Sequence, residues 1–218
     1  LRFLPAAADA GVAFVRTDRP GRPRIPALTE CATPRLRRTV LERDGGDVEC
    51  TEHVLAALAG LGVDNCEIEI NGSEPPAADG SAAPYVEALR KAGIVEQDAG
   101  RAELVVREPV AVTEGDATLA ALPSSGEGLT VSYTLSYEHT PIGSQHFTLA
   151  VQEAAFARDI APARTFCLRS EVEELKRQGL GRGAITVVGQ LRHGGAGAGD
   201  GRQVQVGEQH VRPVVVQP

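Results

Sequence analysis

Between residues 51 and 70 the hydrophobic period changes from that of a helix to that of a strand, and this switch constrains the fold more than any other feature. Val54, Leu55, Leu58 and Leu61 recur at i, i+1, i+4 and i+7, the stripe of a helix laid against a sheet. Gly60 and Gly62 end that helix. Cys66-Glu67-Ile68-Glu69-Ile70 then alternates apolar and acidic residues strictly, as a strand with one buried face does. A one-sided helix tied closely to a one-sided strand buries both only when the two are layered.

The same grammar runs through the rest of the chain. Residues 1–50 hold short β-like pieces between Pro and Gly, of which Val12–Arg16 is the clearest. Asp79-Gly80-Ser81 offers N-cap side chains to a second helix, with Tyr85, Val86 and Leu89 inward and Gly93 at its C′ position. Residues 97–101 read as a linker. Strands are then expected at 104–112, 118–122 and 129–137, the last with Leu129, Val131, Tyr133, Leu135 and Tyr137 on one face. Phe147, Leu149 and Val151 repeat that alternation, and a helix follows near 153–159. Ser170-Glu171-Val172-Glu173 has the form of a capping box for a helix ending at Gly179. The expectation is an α+β chain of two similar layered units, the second incomplete. These are residues 1–97, residues 101–183, and a tail at 184–218 rich in Gly, Arg and Gln. No fold is assigned to the tail, although Val204, Val206 and 214–216 could form short strands.

Composition narrows the function classes. Hydrophobic residues are 42% and charged residues 23% of the 218, ordinary for a globular protein. A net charge of −7 argues against a nucleic-acid surface, which needs clustered cations. Arg35, Arg37 and Arg38 form one small basic cluster, read as a solvated stretch in preference to a ligand site. No apolar run reaches the roughly 18 residues of a transmembrane helix. Cys31, Cys50, Cys66 and Cys167 are scattered without C-x-x-C pairing, which reads as reduced, mostly buried thiols in a cytoplasmic protein. A chain opening on Leu1 reads as a fragment or a processed product.

The local chemical signal is Thr51-Glu52-His53 at the start of the first helix. A His there can present its imidazole to a metal while the adjacent Glu handles protons. Taken alone, the pair also fits simple capping and dipole compensation.

The wider run decides between the two. Thr51-Glu52-His53-Val54-Leu55-Ala56-Ala57-Leu58-Ala59-Gly60-Leu61-Gly62-Val63-Asp64-Asn65, then Ile68-Glu69-Ile70 and Asp79-Gly80-Ser81-Ala82-Ala83-Pro84-Tyr85, resembles the first half of the UDP-3-O-acyl-N-acetylglucosamine deacetylase family of lipid A biosynthesis. Tyr137-Glu138-His139, Ile142-Gly143, Phe147 and Ile160-Ala161-Pro162-Ala163-Arg164-Thr165-Phe166 are similar to its second half, and Glu173, Leu175 and Gln178-Gly179-Leu180 continue the match. The resemblance spans roughly residues 11–183. It implies two α/β units with helices packed between two sheets, an interdomain cleft, and a catalytic Zn2+ acting on a UDP-linked acylated amino sugar. It further implies His53 as a zinc ligand, Glu52 as general base, Thr165 as a holder of the tetrahedral oxyanion and Phe166 as lining of the substrate passage. His139 is read as a structural histidine at a strand end, and His146 as a surface residue.

The likeness also has gaps. The family draws further zinc ligands from a late H-K-x-x-D helix and its general acid from a still later His. Here His193 is followed four residues on by Gly197, and His210 by Val214. The family's opening strand and turn have no match before Leu1, so the chain is expected to be clipped at both ends. The tail is expected to be the product of a shifted reading frame. The expected outcome is weak zinc binding with little or no deacetylation, and the alternative is a non-catalytic α/β module that binds a ligand or partner.

Overall fold

The computed structural model describes residues 1–177, apart from 36, 102, 125, 127 and 138–141, together with Val215–Val216. The chain is α+β, as its periodicities require. Its core is a sheet built from β1 (Arg2–Pro5), β2 (Val12–Arg16), β3 (Arg24–Pro26), β7 (Cys66–Ile70) and β12 (Val215–Val216), in the order β12-β1-β7-β2-β3. β7 lies between β1, antiparallel, and β2, parallel, so its central place comes from chain that returns after a long crossover. β4 (Ala32–Arg35), β5 (Arg38–Arg43) and β6 (Gly46–Glu49) make a small antiparallel sheet within that crossover.

Two helices cover one face of the larger sheet. α1 (Glu52–Gly60) buries Val54, Ala57 and Leu58, and α2 (Ala83–Ala92) buries Tyr85, Val86 and Leu89. They meet Phe3, Phe14, Ile25, Ile68 and Ile70 of the strands in one cluster. Phe3 and Tyr85 pack edge to face, with ring centroids 6.4 Å apart. Burying each such side chain contributes about 1.5–3 kcal/mol, so this cluster is what orders the first half of the chain. The acidic residues of β7 face the other way, where Arg2 reaches Glu69 at 3.2 Å, Arg22 also pairs with Glu69, and Arg24 lies 4.0 Å from Glu67. Buried Arg16 is matched by Asp18 at 2.9 Å and Asp47 at 3.3 Å, so its charge is compensated at the C-terminal end of β2.

The second half is built differently. β8 (Val110–Glu114) and β9 (Ala117–Ala121) form one hairpin, and β10 (Thr130–Tyr137) and β11 (Gly143–Ala150) another. On β10–β11 the polar face is a ladder: Ser132–Thr148 at 2.8 Å, Thr134–His146 at 2.8 Å and Ser136–Ser144 at 3.0 Å. His146 is a surface residue, as its place on the polar face implied. The apolar faces are open, with Val112, Leu119, Val131, Tyr133 and Phe147 all exposed. The basic cluster is solvated and paired: Arg35 with Glu42 at 3.1 Å, Arg37 with Glu171, and Arg38 with Glu49 at 2.6 Å. Among the cysteines, Cys31 and Cys66 are buried and Cys50 half-buried, whereas Cys167 is exposed, and all four are free thiols.

Among the described residues, the halves join through an apolar contact made by Phe156 and Ala161, with Ala157 and Ile160 beside them. α3 (Glu153–Ala155) runs into a π-type turn, Phe156–Ile160, whose Phe156 is buried in the cluster of the first half. Its ring lies against Gly60 of α1, where an added Cβ would stand 2.1 Å from Phe156 Cδ1. Gly60 is thus required inside the helix by close approach, at an intrinsic cost of about 1 kcal/mol relative to Ala. Gly60→Ala should destabilise the protein by about 1–3 kcal/mol through overpacking. The urea midpoint measures this, and a midpoint equal to wild type would show that Phe156 is not seated on α1.

Candidate active site

The start of α1 is fixed by β5. Thr51, fully buried, donates its N–H and its hydroxyl to the Thr39 carbonyl, each at 3.4 Å. The Thr39 N–H in turn donates to Glu52 Oε2 at 3.3 Å. Cys50, just before the helix, has φ of +54°, so the chain turns sharply into α1. Burial and the neighbouring Glu74 and Glu52 push its thiol up to about 11, which leaves it protonated and unreactive at neutral pH. Glu52 and His53 therefore leave the first turn of α1 half-buried, on a backbone held from below.

Against this turn lies the segment after Phe156. Ala161 is fully buried, and the chain from Pro162 to Phe166 runs along the surface between α1 and the turn 79–81. Thr165 Oγ1 sits 3.1 Å from His53 Nε2, although the two residues are 112 positions apart. The Thr165 N–H donates to the Gly80 carbonyl at 3.2 Å. Arg164 Nη2 donates to Asp79 Oδ2, also at 3.2 Å. Phe166 is half-exposed, and its ring is tilted on Tyr137 with centroids 5.8 Å apart. So two of the four residues read from the sequence, His53 and Thr165, meet across the halves, with Glu52 next to His53 in the first turn of α1 and Phe166 against Tyr137.

Two participants were not legible in the sequence. Tyr137 reads as a strand residue and Asp79-Gly80-Ser81 as a helix cap, both also within runs that resemble the family, but with no site role assigned to either. The cap itself differs in detail: Ala82 holds the N-cap position of α2, and Ser81 Oγ accepts from the Ala83 N–H at 3.2 Å. Nothing in either segment's spacing reports the other. The expected capping box at residue 170 takes another form too. A short 3-10 turn, Arg169–Glu171, leads into α4 (Val172–Arg177), and Glu171 Oε2 accepts from the Leu168 N–H at 2.7 Å. His139, His193 and His210, and the expected helix end at Gly179, lie outside the described residues.

The first turn of α1 thus carries a carboxylate and an imidazole, and the hydroxyl of Thr165 reaches the imidazole. Each ring nitrogen of a neutral imidazole serves one partner, so a His53 engaged to Thr165 through Nε2 has Nδ1 to offer elsewhere. Among the described residues, no group of three or more His, Cys, Asp and Glu side chains is placed to hold a metal ion.

These features define an α+β chain with a polar contact where its two halves meet. The family model for "LpxC: UDP-3-O-acyl N-acetylglycosamine deacetylase" matches residues 1–188, and the chain belongs to that family. It is 41% identical over 183 residues to a UDP-3-O-acyl-N-acetylglucosamine deacetylase of Anaeromyxobacter sp. (strain Fw109-5), covering 84% of this chain and 59% of that one. The corresponding protein of Myxococcus xanthus is 42% identical, with 84% and 58% covered. A "Bifunctional enzyme LpxC/FabZ" of Chlorobaculum tepidum is 44% identical over 186 residues, with 84% and 39% covered. The chain thus spans less than two thirds of the length of these relatives.

The electrostatics of Asp79 give a test of the docking. Burial pushes its carboxyl up, but hydrogen bonds from Ser81 and Arg164 outweigh this and hold it below the usual carboxylate range. A lowered folded value means the contribution is fully present above about pH 4 and is lost as pH falls through the folded value. Following the Asp79 carboxyl carbon by NMR should show titration below that of a free Asp. Arg164→Met should move it upward, and no movement would mean that Arg164 does not engage this carboxylate.

Proposed function

We propose that these residues form one wall of a centre that hydrolyses the N-acetyl group of UDP-3-O-(3-hydroxyacyl)-N-acetylglucosamine, releasing acetate, in lipid A biosynthesis. Family membership supports the reaction, and the 3.1 Å approach of Thr165 Oγ1 to His53 Nε2 beside Glu52 supports the site. We place the protein in the cytoplasm, on its four free thiols. No helix of the described residues is long and apolar enough to cross a membrane.

An amide is a poor electrophile, so its hydrolysis needs a base to activate water and a donor for the developing oxyanion. Glu52 is the base. Its Oε2 is held by the Thr39 N–H, which fixes the carboxylate while leaving it lone pairs to take a proton from water. The Thr165 hydroxyl is the uncharged donor, and moving its hydrogen bond from His53 to the tetrahedral oxygen costs no net bond. Phe166 and Tyr137 offer an apolar edge along which an acyl chain can lie.

Zn2+ is the cofactor we assign to the complete centre, with His53 as the ligand from this region. A catalytic zinc takes three protein ligands, and the described residues place one imidazole here and no converging trio. This donor set does not complete a zinc centre, so no step above is routed through the metal. The same observation favours a second reading, a non-catalytic module that keeps the fold and binds a ligand or partner.

Zinc analysis and acetate release separate the two readings. Losses even in the outer shell of such sites cost about 10–100-fold in affinity or activity, and losses of ligands cost more. The dialysed chain should hold far less than one zinc per molecule and release acetate slowly, with Glu52→Gln removing what release remains. Stoichiometric zinc after dialysis would overturn the account of an incomplete donor set. Residual release unaffected by Glu52→Gln would overturn the role of Glu52.

A further inference from the structure

We propose that Asp79 and Arg164 form a clamp that positions the Thr165 hydroxyl against His53, an inference that rests on the role given to Thr165 above. Asp79 divides its two oxygens between two tasks. Oδ1 accepts from the Ser81 N–H at 3.1 Å and the Ser81 hydroxyl at 2.7 Å, closing the turn in which it sits. Oδ2 accepts from Arg164 Nη2 at 3.2 Å, across 85 positions of sequence. Ser81 is fully buried and its Oγ accepts from the Ala83 N–H, so the turn is an extension of α2 rather than a mobile loop.

The segment carrying Thr165 is therefore gripped at two successive residues by one rigid turn. Arg164 is held by its side chain, and Thr165 by its backbone N–H on the Gly80 carbonyl at 3.2 Å. Thr165 itself is exposed, and its hydroxyl faces His53. Its distance to His53 is set by the backbone on either side: Phe156 and Ala161 anchor the approach, and the clamp anchors the end. Misplacement of a reacting group by about 1 Å can cost about 100-fold in rate, so a polar grip next to the reacting hydroxyl is a positioning device and not a surface ornament. Asp79 and Arg164 touch no reacting atom in this scheme. They act through Thr165.

Hydrogen exchange and histidine NMR on the full 218-residue chain test this without any turnover. Arg164→Met removes the grip but leaves the turn, and Asp79→Asn keeps an acceptor for Ser81 while facing the guanidinium with an amide. In both, the Thr165 amide should exchange about 2- to 5-fold faster, the effect of losing one partly exposed pair. The His53 Nε2 resonance should shift towards its position in Thr165→Val, and Arg164→Lys should restore part of both signals. The proposal is overturned if Thr165 exchange and the His53 resonance stay at wild-type values. It is equally overturned if the Tyr85 and Val86 amides of α2 accelerate by the same factor, because Asp79 and Arg164 would then support the fold generally. Failure of the functional reading shows elsewhere: acetate release indifferent to Glu52→Gln sinks the chemistry and leaves the clamp standing.

Discussion

The seating of the Phe156 ring on Gly60 is the contact on which the site depends. It is the point where the second half of the chain enters the apolar cluster of the first, and it leaves no room for a side chain at residue 60. The π-type turn that begins at Phe156 closes with the Ala161 N–H on the Phe156 carbonyl at 2.8 Å, so the next buried residue follows at a fixed offset. The chain leaving Ala161 has only a few residues in which to reach the start of α1, and it arrives there as Arg164-Thr165-Phe166. Arg90 and Glu153 pair at 3.1 Å nearby, but a half-exposed ion pair is a minor support beside a buried aromatic ring.

The two halves differ in what holds them. The first is ordered by burial, from Phe14 and Ile68 through to Tyr85 and Leu89. In the second, β8 and β9 are exposed at every position, and a lone two-stranded hairpin is marginal in water. The loop 161–166 therefore takes most of its anchorage from the first half, through Ala161, Arg164 and Thr165. Its polar contacts accordingly run to Asp79, Gly80 and His53 of the first half, while Phe166 packs on Tyr137 of its own.

Strong one-sided patterns were legible in the sequence. Val12–Arg16 and Cys66–Ile70 fold as strands over the residues read as such, α2 buries Tyr85, Val86 and Leu89 as its period selects, and of the α1 stripe Val54, Leu58 and Leu61 are buried and Leu55 partly so. Where a pattern was weak, local covalent facts overrode it. The strand expected at 104–112 begins instead at Val110, directly after Pro109, which has no N–H to give a ladder. It runs on to Glu114 because the turn at Gly115, with φ of +56°, sets the register that pairs Thr113 with Thr118. The site divides in the same way. Glu52, His53, Thr165 and Phe166 could be named from two motifs, while Asp79, Tyr137 and Gly60, which lie in the same matching runs, gave no sign of the contacts they make across the halves. Periodicity reports which face of an element is buried, not what lies opposite.

That division also separates the fixed from the adjustable parts of the site. The imidazole belongs to a helix whose underside is buried Val54, Ala57 and Leu58 and whose first residue is tied to Thr39. The hydroxyl that faces it belongs to an exposed strip secured by hydrogen bonds and one partly exposed ion pair. Polar contacts of that kind weaken with salt, whereas the apolar seat of α1 does not. Rising salt therefore loosens the strip before it loosens the seat of α1. Because Nε2 can serve only one partner at a time, displacement of the strip is the coordinate that decides whether this nitrogen is held by Thr165 or released to another partner.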